Sequence, residues 1–126
     1  MTTRFDGFVP GRHQLDAFGA GGFRFAGMSH RGSVLATPAG IRIWPVTRFS
    51  EITVDSFQPL LDEAAAIDFL LIGTGADIAF IPHAWRDLLK ERGITVEGMA
   101  TGPAARTYNV LVGEDRRVAA ALIAVD

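Results

Sequence analysis
The chain has 126 residues, 48% of them hydrophobic and 21% charged, and a net charge of −2. The length suits one ordinary domain, and the apolar content is enough to offset the entropy of ordering it, so disorder is excluded as the overall state. The absence of cysteine excludes disulfides, zinc–thiolate sites, iron–sulfur ligation and cysteine nucleophiles, and the slightly acidic balance argues against a dedicated nucleic-acid binder.

In chain order, residues 1–21 are rich in glycine and polar side chains, with Pro10-Gly11 and Gly19-Ala20-Gly21-Gly22 as breakers. They predict an N-terminal arm with a short extended piece near Leu15–Phe18, ahead of a single α/β domain over residues 22–126. From Phe23 the pattern alternates: Phe23 and Phe25 share one face of a strand, Arg24 and Ala26 the other. Ser29-His30-Arg31-Gly32 predicts a turn, Ser33–Thr37 a return strand, Pro38-Ala39-Gly40 a second turn and Ile41–Val46 a third strand. This first third therefore predicts an antiparallel meander. Its second face needs a cover, which predicts a homodimer or a protein-partner contact there.

The period then changes. Asp55 or Ser56 is placed to cap a helix from Phe57 to about Ala66, with Phe57, Leu60, Leu61 and Ala64 as its apolar stripe. Asp68–Ile72 is a continuous apolar run of the kind found in strands buried on both faces. Pro82 opens a helix over His83–Arg92, and Gly93 stops it. Ile94–Gly98 predicts a strand, Thr101 a cap for a helix from Gly102 to about Val112, and Arg117–Val125 a last strand. The order α-β-α-β-α-β after an antiparallel start predicts a three-layer α/β fold: a mixed sheet covered by helices, with parallel strands at 68–72 and 94–98.

If those two strands are parallel neighbours, Gly73-Thr74-Gly75 and Met99-Ala100-Thr101-Gly102 leave the same carboxyl edge, where open α/β sheets place ligands. The candidate crevice for a small molecule or anion comprises Gly73, Thr74, Gly75, Thr101, Gly102, Arg106 and Asn109. A helix N-terminus would supply N–H groups there and Arg106 a fixed positive charge. The same residues also admit a structural reading. The glycines would serve turning and close packing, Arg106 would pair with Glu97 or Glu114, and Asn109 would bond local backbone. No nucleotide motif is complete: Ile78 stands where a dinucleotide fingerprint has its third glycine, and no Gly-Lys-Ser/Thr occurs. His13, His30 and His83 lack metal-ligand spacing, no Gly-x-Ser-x-Gly is present, and the adjacent Asp62-Glu63 and Glu114-Asp115 are poor acid–base pairs. No catalytic residue, metal or cofactor is implied.

Charge is unevenly placed. Residues 1–48 hold six arginines against Asp6 and Asp16, whereas the remainder holds six basic and twelve acidic residues. This polarisation allows an acidic partner at the N-terminal part, and a solvated sheet face is the simpler reading of the same charges. Lys90 is the only lysine among the twelve basic residues, a codon signature of a GC-rich bacterial genome. The longest apolar run, Val118–Val125, is too short to span a bilayer, and Met1–Pro10 has no signal-peptide core, so a cytoplasmic location is expected.

Several segments together resemble a known family: Asp16–Phe25, Ser29–Leu35, Leu70–Gly75, Pro82, Gly93–Glu97, Thr101–Leu111 and Arg117–Leu122, with Arg106-Thr107-Tyr108-Asn109 the most specific block. The family is one of small α/β domains of unknown function in bacteria and archaea. It includes a mitochondrial assembly factor for respiratory complex I and an adipogenesis-associated protein. The resemblance implies a three-layer mixed α/β fold, no established catalytic activity, and a role in protein assembly linked to the respiratory machinery. Ala100 and Ala105 stand where relatives often carry Asp and Cys, which removes carboxylate or thiol chemistry from the crevice in this chain.

Overall fold
Leu70, Leu71 and Ile72 are fully buried because the strand they form is covered on both faces. The computed structural model describes residues 5–126. Its first strands are β1 (Phe8–Pro10), β2 (Ala17–Gly19), β3 (Gly22–Phe25), β4 (Met28–Arg31), β5 (Val34–Thr37) and β6 (Gly40–Ile43). After α1 (Gln58–Leu61) come β7 (Phe69–Gly73), α2 (His83–Lys90), β8 (Thr95–Met99), α3 (Thr101–Gly113) and β9 (Val118–Leu122).

Six strands form a mixed sheet in the order β1-β6-β5-β9-β7-β8, and β2-β3-β4 form a separate antiparallel sheet. β7 runs parallel to β8 on one side and to β9 on the other, as the apolar run and the intervening helices predict. β9 is antiparallel to β5, which joins the two halves of the sheet. Successive residues of the central strands feed opposite cores. Leu70, Ile72, Val96, Ala119 and Ala121 pack with Phe57, Leu60, Trp85 and Leu89 on one face. Leu71, Val118, Ala120 and Leu122 pack with Ala104, Ala105 and Tyr108 of α3, and with Phe23 and Phe25 of the small sheet, on the other. Three layers result. Each buried Leu, Ile or Phe side chain contributes roughly 1.5–3 kcal/mol, and the alanines of β9 leave room for α3 to approach.

Several details depart from the sequence reading. The predicted turn at Ser29–Gly32 is instead strand through Arg31, and the chain reverses at Ala26-Gly27, with φ of 51° and 75°. Two consecutive positive φ values match the twist of a two-residue hairpin, at the cost of placing an alanine in the left-handed region. Over its described part, the arm is corrected: β1 pairs with β6, β2 pairs with β3, and Leu15 is buried. Residues 1–4 of that arm lie outside the described residues. The meander is divided between two sheets. Its inner face is covered within the chain, since Phe23, Phe25 and Met28 pack with Leu15 and Tyr108.

The third strand stops at Ile43, two residues before Pro45, which has no N–H for a ladder. The helix predicted from Phe57 shortens to α1 flanked by single 3-10 turns at Val54–Phe57 and Ala64–Ala66, although Phe57, Leu60 and Leu61 are buried as expected. Neither Asp55 nor Ser56 is the N-cap: Thr53 is, and Ser56 is its N3 partner, the Ser56 Oγ accepting the Thr53 N–H (3.0 Å).

Candidate site at the carboxyl edge of the sheet
β7 leads through α2 to β8 on one side, and β8 leads back through α3 to β9 on the far side of β7. The carboxyl edge between β7 and β8, whose following helices pack on opposite faces, is thus a topological switch point, the usual ligand position in such sheets. Here the loops lean directly on one another. A Cβ on Gly73 would stand 2.7 Å from Leu122 Cδ2 and 3.1 Å from the Thr101 Cα, so β7, β9 and α3 meet at a point where any side chain must push its neighbours.

Thr74 and Thr101 hold the junction. The Thr74 N–H donates to the Met99 carbonyl (2.8 Å). The Thr74 hydroxyl donates to the Asp77 carbonyl (2.6 Å) and accepts the Ala79 N–H (3.2 Å). Thr101 is no helix cap. It lies inside the first turn of α3, after Ala100, and its hydroxyl accepts the Gly75 N–H (3.0 Å) and donates to the Ile123 carbonyl (2.7 Å). Its own N–H donates to the Gly75 carbonyl (2.8 Å). The two loops are thereby sewn to each other and to the end of β9. Over the start of α3, the Phe18 ring lies where a Cβ on Gly102 would be 3.1 Å from it.

Arg106 and Asn109 are not brought into this knot. Arg106 is exposed, its guanidinium lies 5.3 Å from the centre of the Phe18 ring, and it pairs with neither Glu97 nor Glu114. Asn109 bonds backbone that is distant in sequence: its Oδ1 accepts the Leu15 N–H (2.7 Å), and its Nδ2 donates to the Leu15 carbonyl (2.7 Å). Gln14 Nε2 donates to the Asn109 carbonyl (2.8 Å). The Tyr108 hydroxyl donates to the His13 carbonyl (3.1 Å), and burial pushes its pKa up to about 12. Arg12 pairs with Asp115 (2.7 Å) and also donates to the Arg116 carbonyl. The Arg-Thr-Tyr-Asn block thus straps residues 12–18 along α3. A polar Tyr-Asn pair in a helix otherwise facing the core was the one sequence signal of this strap, but nothing local names its partners.

Beside the knot, an open hollow of about 480 Å³ is lined by Arg48, Phe49, Thr74, Gly75, Ile123 and Asp126. Arg48 there lies 3.7 Å from the Glu51 carboxylate. The segment running from Thr74 towards α2 turns Ile81 inward and leaves Ile78 and Phe80 71% and 74% exposed. Among the described residues no cluster of His, Asp and Glu is placed to hold a metal ion, and no helix is long and apolar enough to cross a membrane.

These features define a three-layer α/β domain with a mixed sheet, whose switch-point edge is tied by its own backbone and hydroxyl groups. The chain belongs to the protein family of unknown function DUF498/DUF598, whose model matches residues 15–123, in agreement with the resemblance read from the sequence. It is 42% identical to an uncharacterised protein of Rhodobacter capsulatus, over 98% of this chain and 93% of that one. It is 36% identical to the NADH dehydrogenase [ubiquinone] 1 alpha subcomplex assembly factor 3 of Danio rerio, over 81% of this chain. The match spans only 59% of that relative's length. A crystal structure of an outer membrane protein from Bartonella henselae superposes with a TM-score of 0.89 at 48% identity, covering 93% of this chain and 98% of that chain. The chain is therefore an unknown-function domain related to complex I assembly factors.

Proposed function
We propose that this chain is a non-catalytic assembly factor that acts by binding protein partners, in connection with a respiratory NADH dehydrogenase. The observation that carries this reading is the relationship to assembly factor 3 across most of the chain. Two structural features support it. Thr74, Thr101 and Asn109, which could have served a reaction, are engaged by backbone partners. Exposed Ile78 and Phe80 sit on a segment anchored by Thr74 and Ile81, which suits a protein contact. Deleting the gene in its native cell and resolving respiratory complexes on native gels tests the reading. Accumulated NADH dehydrogenase subcomplexes are expected, and an unchanged amount of assembled complex would contradict it.

A second reading keeps a small-molecule or anion site at the carboxyl edge. The hollow beside Thr74, Gly75 and Arg48 favours it. On that reading a ligand lies towards β9 instead of between β7 and β8, and its binding depends on Arg48 rather than on Arg106. Isothermal titration with small carboxylates and phosphate, on the parent and on Arg48→Ala, separates the two dependences.

A further inference from the structure
The three-stranded sheet has one face in the core and one in water. Cross-strand register places Ala17, Arg24 and Ser29 side by side, and Gly19, Gly22 and Arg31 side by side, on the same outer face. Phe18, Phe23 and His30 occupy the alternate, inner positions. The outer face is thus a floor of glycine and alanine carrying two arginines. Gly22 at its centre is itself buried and carries no side chain, because a Cβ there would fall 2.0 Å from the His30 carbonyl oxygen. A hollow of about 440 Å³ adjoins the sheet; Arg24, Ser29 and Arg31 line it, as do Phe18, Phe23 and His30 of the alternate positions.

Arg24 sits opposite Ser29 while Arg31 sits opposite Gly22, which makes the two arginines diagonal cross-strand neighbours. Diagonal neighbours lie within about 8 Å, and like charges so placed repel. Among the described residues, Arg12, Arg42, Arg48 and Arg117 are each matched to a carboxylate, whereas Arg86, Arg92, Arg106 and Arg116 are not; what sets Arg24 and Arg31 apart is that they are unpaired next to each other. Arg24 and Arg31 have no carboxylate partner among the described residues, although both are exposed. Two acids approach this sheet. Asp16 immediately precedes β2, and Asp126 follows Val125, whose carbonyl accepts the Gly21 N–H (2.9 Å). Neither forms an ion pair with the two arginines.

We propose that the outer face of β2-β3-β4 is a docking surface for an acidic, extended segment of a protein partner, whose carboxylates engage Arg24 and Arg31. A flat floor without side chains admits a backbone lying along it, and a guanidinium pair at this spacing matches acidic side chains on one edge of such a segment. This inference rests on the assembly-factor reading and names the chemistry of the partner. It also gives the positive N-terminal third of the chain a use, since that third carries the charge opposite to such a segment.

The test uses the full chain and a short fluorescein-labelled peptide of alternating Glu and Val, with a Lys-for-Glu peptide as control, in fluorescence anisotropy at low salt. Binding of the acidic peptide alone is expected, weakening as salt rises. Arg24→Glu/Arg31→Glu should weaken it about tenfold or more, and Arg24→Gln/Arg31→Gln by less. Near-ultraviolet circular dichroism checks that each variant keeps its fold. No binding, equal binding by folded variants, or stronger binding of inorganic phosphate or phosphatidylglycerol vesicles overturns the proposal. The two readings fail separately. A native partner still captured by the Arg24→Glu/Arg31→Glu chain overturns the docking face and leaves the assembly role. Arginine-dependent peptide binding with normally assembled NADH dehydrogenase in the deletion strain supports the face and overturns the assembly role.

Discussion
The carboxyl edge of the large sheet and the outer face of the small one treat polar groups in opposite ways. At the edge, the Thr74 and Thr101 hydroxyls are spent on backbone within the chain, and Gly73 brings three elements into contact. On the outer face, Arg24 and Arg31 stand beside each other with no internal counter-charge. Buried polar groups must be satisfied because desolvation leaves no alternative, whereas exposed charges are satisfied by water until something better arrives. The comparison teaches that a polar residue at the expected position in a fold is no sign of a ligand until its partners are known. By this measure the edge holds its polar groups as a joint does, while the outer face leaves two charges without an internal partner.

The largest effect expected at the joint comes from filling it. Gly73→Val drives a branched side chain against Leu122 and the Thr101 backbone. It should cost about 3 kcal/mol through overpacking, read by urea denaturation. Stability close to the parent would show that the junction can open, and would return the edge to consideration as a crevice.

The strap on α3 sharpens the comparison through pH. Tyr108 is kept neutral by burial, its pKa raised to about 12 from the ordinary 10. Because the folded value is the higher one, the stability gained from the neutral phenol is complete below pH 10 and is lost as pH rises through 12. The fall should approach about 1.4 kcal/mol per pH unit in that window. Tyr108→Phe should remove this contribution from the stability–pH profile, and an unchanged alkaline slope would speak against a buried phenol.

A smaller effect is expected at Asn109. Truncation to Ala removes both bonds to Leu15, at a cost of about 1–2 kcal/mol. Faster hydrogen exchange of the Leu15 amide should accompany it, and unchanged exchange would show that the strap is held without Asn109, by Gln14, Tyr108 and Arg12. Arg106→Ala should do least, about 0.5–1 kcal/mol, because its exposed guanidinium stacks on Phe18 and pairs with no carboxylate. A loss of several kcal/mol, as for a broken buried ion pair, would contradict that geometry.

What was legible in the sequence follows from what acts locally. The Asp68–Ile72 run, the helix after Pro82 and the alternation of Phe23, Arg24 and Phe25 each carry their signal in a few adjacent residues, and each forms the expected element, with ends shifted to Phe69–Gly73 for the first and His83–Lys90 for the second. The Ala26-Gly27 turn was not legible, because Ala26 takes a positive φ that its own chemistry disfavours and the hairpin imposes. β1 and β2 are three residues each and owe their existence to partners elsewhere in the chain. The site residues show the same divide. Thr74 and Thr101 could be located at one sheet edge from strand order, but the Thr101 bond to Ile123 and the Asn109 bonds to Leu15 depend on tertiary placement alone.

The central claim is that the edge is joint and the outer face is surface. Urea denaturation of Thr101→Val and Arg24→Glu/Arg31→Glu, side by side with the parent, tests it most directly. Valine keeps the shape of Thr101 but strips the Gly75 N–H and the Ile123 carbonyl of their partner, which should cost about 2–4 kcal/mol. The double charge reversal on the exposed sheet face should stay within about 0.5 kcal/mol of the parent. A Thr101→Val chain as stable as the parent, or an arginine variant destabilised as much as the threonine one, would contradict the account.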